Sequence, residues 1–90
     1  MVYVRGVNMK YKKLQNAIVK LASDFNNNNK NYKITYFEIN DIGYVIYYED
    51  KNYKEYSSEN YFDSDLSKCV EIEDYYNVIK RTLENDIENM

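Results

Sequence analysis

The residues of this chain that could do chemistry are almost all carboxylates and phenols. Ninety residues hold fifteen acids and twelve tyrosines, with no histidine, one cysteine and two glycines. Without histidine there is no imidazole base at neutral pH, no Ser-His or Cys-His dyad and no histidine metal ligand. No glycine-rich loop is present to cradle a phosphate. Carboxylates that act alone as acid and base must face each other across a cleft, and a single small domain leaves little room for one. The expectation is a non-enzymatic protein without a cofactor, so the question becomes what it binds. The densest acidic stretch holds Glu55, Glu59, Asp63, Asp65, Glu71, Glu73 and Asp74 against one base, Lys68, with Tyr56, Tyr61 and Phe62 interleaved. Glu49 and Asp50 lie just before it.

Oxygen-bearing side chains at alternate positions raise the first option, a cation. Asp63, Asp65, Ser67, Glu71 and Asp74, with the apolar Val70 between them, resemble the loop of an EF-hand at its first, third, fifth, ninth and twelfth positions. That resemblance implies a calcium site. Two departures count against it. Lys68 stands where the family has glycine for a sharp turn, and Asp74 is one methylene shorter than the usual bidentate glutamate. The expectation is no metal, with this calcium loop as an alternative. The plainer reading is an acidic loop that caps the last helix.

Charge is divided along the chain. Residues 1–37 carry Arg5, Lys10, Lys12, Lys13, Lys20, Lys30 and Lys33 against Asp24 alone, while the remainder is strongly acidic, for a net charge of −3. Either the two halves pair with each other, or each meets a partner. A nucleic-acid patch would need more bases together, with aromatic residues between them, so nucleic acid is the less favoured partner.

The elements that must position these groups are legible from periodicity. Asn8 is a candidate N-cap. Tyr11, Leu14, Ile18, Leu21 and Phe25 then fall at helical spacing, predicting a helix over 8–25 that the asparagine run 26–29 ends. Residues 1–7 read as an arm or a short strand. Isoleucine, valine, threonine, tyrosine and phenylalanine dominate the next segments, which read as strands separated by turns at 40–43 and 50–52. Tyr32, Ile34 and Tyr36 are expected on one face of the first strand, with Phe37 and Ile39 on the other. In the second, Tyr44, Ile46 and Tyr48 oppose Val45 and Tyr47. Ile72, Tyr76, Ile79, Leu83 and Ile87 mark a final helix, with Glu73 and Asp74 in its first turn, where the helix dipole favours anions. The predicted fold is α+β and a single small domain: helix, three-stranded antiparallel meander at 32–58, acidic loop at 59–72 and helix at 73–88. One helical layer covers one sheet face, so the other is expected to expose tyrosines, whose rings are apolar and whose hydroxyls can stay wet.

The helix-strand-strand-strand-helix order resembles the double-stranded RNA-binding domain, but that family grips phosphates with lysines where this chain has Glu71, Glu73 and Asp74. The inverted charge fits another class. Carboxylates can stand in for phosphates in a basic nucleic-acid channel of a partner protein. In length, acidity, abundance of residues with A/T-rich codons and lack of catalytic residues, the chain is similar to the small anti-CRISPR proteins of phages and mobile elements. That resemblance is one of type and rests on no specific motif. It implies a cytoplasmic inhibitor that contacts a basic effector such as a Cas nuclease through Glu49, Asp50, Glu55, Tyr56, Glu59, Tyr61, Asp63, Asp65, Glu71, Glu73 and Asp74. A structural or regulatory module acting as a homodimer is the alternative. The single Cys69 suits a reducing compartment, and neither a signal peptide nor a membrane span is expected.

Overall fold

The computed structural model describes the backbone of Tyr3–Arg5 and residues 11–90. In chain order the elements are β1 (Tyr3–Arg5), α1 (Lys12–Asn28), β2 (Tyr32–Ile39), β3 (Gly43–Asp50), β4 (Glu55–Tyr61), α2 (Ser64–Ser67) and α3 (Ile72–Glu88). The predicted helix, antiparallel meander and helix are all present. A fourth strand joins the meander: the sheet order is β1-β2-β3-β4, with β1 parallel to β2 and the other pairs antiparallel. Parallel neighbours need a crossover connection, and α1 supplies it.

Two boundaries differ from the sequence reading, and a third falls outside the described residues. The proposed cap Asn8 lies outside the described residues, and α1 is described from Lys12. At its far end α1 continues through Asn26–Asn28, because tertiary partners override asparagine's preference for turns. The Asn26 side chain accepts from Ile34 N at 2.7 Å and donates to Ile34 O at 3.0 Å. Asn29 then caps the helix and accepts from the amides of Asn31 and Tyr32. The segment 59–72, expected as a loop, holds the end of β4 and the short helix α2. Asp63 caps α2 by accepting from Leu66 N at 3.0 Å.

The largest correction concerns the faces of β2. Pairing with β3 runs Ile34↔Tyr48 and then Tyr36↔Tyr47, which leaves Thr35 as an extra residue. Such a bulge reverses the alternation beyond it. Phe37 and Ile39 therefore join Ile34 on the buried face, while Tyr36 and Glu38 turn outward. The core gathers Ile34, Phe37, Ile39, Tyr44, Ile46 and Tyr48 of the sheet beneath Leu14, Ala17, Ile18, Leu21 and Ala22 of α1 and Ile79 and Leu83 of α3. A fully buried side chain such as Ile46 or Ile79 contributes about 1.5–3 kcal/mol. Gly43 is required by close approach, since a Cβ there would collide with the backbone carbonyl of Asn60.

The bulge also sorts the tyrosines. Tyr44 and Tyr48 are fully buried. Tyr32 and Tyr56 pack beside Tyr48, with ring centroids 5.7 and 5.5 Å from it. Tyr36, Tyr47 and Tyr61 belong to the other side, which no helix among the described residues covers.

Candidate interaction surface

The eleven acids and tyrosines expected to meet a partner separate into two groups. Seven are held within the molecule. Asp50 closes the β3–β4 turn: its Oδ1 accepts from Asn52 N at 2.8 Å and Lys54 N at 3.0 Å, and its Oδ2 accepts from the Tyr56 hydroxyl at 3.2 Å. These bonds, the Lys54 amide foremost, hold its carboxyl below the usual range. Tyr56 is half-buried against Tyr48 and Tyr32. Asp63 caps α2, and Asp65 faces Arg81 at 3.7 Å.

At the start of α3, Glu71 and Asp74 form a reciprocal capping box. Asp74 Oδ2 accepts from Glu71 N at 2.9 Å and Val70 N at 3.2 Å, which lowers its pKa. Glu71 stands 4.0 Å from Lys13, whose ammonium donates to Val70 O at 2.8 Å. Glu73 stands 3.7 Å from Lys20, and Lys20 lies over the Tyr76 ring at 4.9 Å. The basic helix and the acidic segment thus pair with each other. Among the described bases, Lys33 reaches back to Asn26 O at 3.3 Å, while Lys12 and Lys30 are exposed and far apart in α1 and the loop after it. These described bases do not assemble a stripe.

The calcium-loop geometry is absent too. Asp63 Oδ1 and Asp74 Oδ2 accept from backbone amides, and residues 64–67 form a helical turn. Among the described residues no three acids or cysteines stand close enough to hold a metal ion. Burial pushes the Cys69 thiol up, away from the reactive thiolate.

The other four lie on the uncovered sheet face. Tyr48 points inward, so Glu49 points outward, and the register sets Glu49 directly opposite Glu55. The next outward row runs Tyr36, Tyr47, Ser57, and the one after it Glu38, Val45, Glu59. Tyr61 lies beyond, 74% exposed. Tyr36 and Tyr47 stack with centroids 4.2 Å apart and planes 10° apart. Burial, then Glu38, raise the Tyr47 pKa, with the Tyr36 hydroxyl and Glu59 adding to the effect. Among the described residues Glu49, Glu55 and Glu59 have no ion pair or hydrogen bond to their carboxylates. Directly opposed like charges destabilise a sheet, and Lys33, level with Glu49 across β2, is turned away to Asn26.

Tyr36, Glu38, Val45 and Tyr47 were not among the expected contact residues. The outward alternation of Val45, Tyr47 and Glu49 was available from β3 alone. That Tyr36 and Glu38 join them depends on the bulge, which leaves no local signature at Thr35.

No described helix is long and apolar enough to cross a membrane. Comparison of the chain with known protein families, with curated proteins and with solved structures finds no match.

Proposed function

We propose that the protein acts by binding, as a non-enzymatic inhibitor that lays the uncovered face of its sheet on a basic surface where a partner protein handles nucleic acid. The observation that carries this reading is the Glu49–Glu55 opposition beside a stacked tyrosine pair. Like charges held together weaken the free protein, and a cationic partner turns that weakness into binding energy. Carboxylates there take the place of phosphates, and the tyrosines supply contact area of low conformational entropy. A defence nuclease of the CRISPR type is the partner class, by the similarity of type described above.

The test is titration of purified, nucleic-acid-free Cas effectors with the protein and with a Glu49→Lys/Glu55→Lys/Glu59→Lys variant. A stoichiometric, salt-sensitive complex that excludes guide or target nucleic acid is expected, and the variant should lose it. Inhibition by the variant at full strength would end the mimicry mechanism. Absence of binding to every effector tried would remove the partner class.

Self-association is the second reading, favoured by the outer edge of β4, which pairs with no other strand among the described residues. Antiparallel pairing of two copies about Ser58 would set Glu55 opposite Tyr61 and Ser57 opposite Glu59, with no acid facing an acid. Sedimentation equilibrium decides it: a monomer at high concentration ends this alternative.

A further inference from the structure

The uncovered face has a finer feature than its charge. Tyr36 covers one side of the Tyr47 ring in a nearly parallel stack. The other side of that ring looks toward β4, where its cross-strand neighbour is the small Ser57. Glu55 and Glu59 stand two residues to either side of Ser57, about 7 Å away along the strand. Neighbouring strands lie ~4.8 Å apart. The result is a notch with an aromatic wall, a floor bearing only a hydroxyl, and a carboxylate at each end.

We propose that this notch is a subsite for an arginine side chain of the partner, and that it selects arginine over lysine. The inference rests on the reading above that this face meets a basic protein. A planar guanidinium fits between the Tyr47 ring and the space above Ser57, stacks on the ring, and keeps its in-plane N–H groups free for Glu59 or Glu55. An ammonium is more strongly hydrated and lacks a plane to stack, so it gains from the charge alone. The Tyr47 pKa is raised first by burial, then by Glu38 and Tyr36, and least by Glu59, which places that carboxylate within reach of the same hydroxyl. The phenol stays protonated and its ring keeps an electron-rich face without an added charge.

Two measurements test this, one of them needing no partner. In the first, alternating arginine–glycine and lysine–glycine dodecapeptides are titrated into the protein at low salt, followed by amide chemical shifts. The arginine peptide should bind roughly three- to fivefold more tightly. Tyr47→Thr, which keeps a good strand former, should bring the two affinities together. In the second, the chain supplies its own occupant: Ser57→Arg should raise Tm more than Ser57→Lys does and should weaken binding of the arginine peptide.

If neither peptide binds, the basic-partner reading falls and this inference with it. If both bind equally and Tyr47→Thr alters neither, the arginine subsite falls while the basic-partner reading stands. Equal Tm values for the two Ser57 variants would likewise overturn the subsite.

Discussion

Two acidic regions of this molecule have nearly the same composition and opposite roles. At the start of α3, Glu71, Glu73 and Asp74 face lysines or the amides of a helix terminus. On the uncovered sheet, Glu49 and Glu55 face each other. The first arrangement lowers the energy of the folded chain, because each carboxylate meets a donor or a cation. The second raises it, because a cross-strand pair of like charges has no compensating contact among the described residues. An acid's contribution is set by its neighbours in space, so a run of acids in a sequence does not identify a surface. The tyrosines give the same lesson inside one strand. Tyr48 is buried among aromatic rings, while the adjacent Tyr47 is half-buried and stacks on the opposite face.

The sharpest way to break this comparison is to remove an acid from each region. Asp74→Ala deletes half of the capping box and is expected to lower Tm by about 5 °C, with no change in binding to the arginine–glycine peptide. Glu55→Lys is expected to raise Tm by about 2 °C, by replacing repulsion from Glu49 with attraction, and to weaken that binding severalfold. Calorimetry with peptide titration reads both, and an Asp74 variant that lost binding would unite the two regions again.

Between these effects lies Tyr53. It is 80% exposed at the tip of the β3–β4 hairpin, with φ of 65°. A bulky residue in the left-handed region is strained. Tyr53→Gly is expected to raise Tm by about 3 °C, after allowing for the greater entropy of glycine in the unfolded chain. The exposed pairs come last: Glu73→Gln breaks the contact with Lys20 and should shift Tm by no more than about 1–2 °C.

Acid and alkali sharpen the comparison in a different way. Asp50 and Asp74 have lowered pKa values in the fold. Their contribution is complete well above the ordinary aspartate value of about 3.9 and is lost as pH falls through the lower folded values. Tyr76 behaves in the opposite sense. Its hydroxyl donates to Asp24 at 2.6 Å and its pKa is pushed up to about 12, chiefly by that bond. The stability it lends is complete below about pH 10 and fades between about 10 and 12. A Tm series across pH should therefore fall at both ends, and Tyr76→Phe should flatten the alkaline limb.

Most of the architecture was legible because it depends on local pattern. The helical stripe through Leu14, Ile18 and Leu21 and the strand residues 44–48 each carry their own signal. The capping box was half visible, since Glu73 and Asp74 were read as first-turn acids without Glu71 as the cap. What stayed hidden depends on register and tertiary contact. Asn26 reads as a helix breaker until Ile34 is beside it, and Lys13 and Lys20 have no assignable partner until α3 lies across them. The candidate site was legible only in part for the same reason. Its β4 acids could be named from composition, but separating Glu55 and Glu59 from Asp63 and Asp65 needed the fold.

The extra residue at Thr35 gives the chain two ways to zip β2 onto β3. Regular pairing continued from Ile34 would turn Tyr36 and Glu38 under the helices and Phe37 and Ile39 into water. The two ladders start from the same contact and diverge one residue later, so they form a branch point in folding time. Asn26 biases that branch. It arrives on a helix that forms in about a microsecond or less, ahead of the slower hairpin, and it grips Ile34 by both backbone groups. Deleting Thr35 would leave every other β2 residue on its present face and remove the wrong branch, so the shortened chain should refold in a single phase. Replacing Asn26 with leucine should do the reverse and populate a slow, register-shifted species.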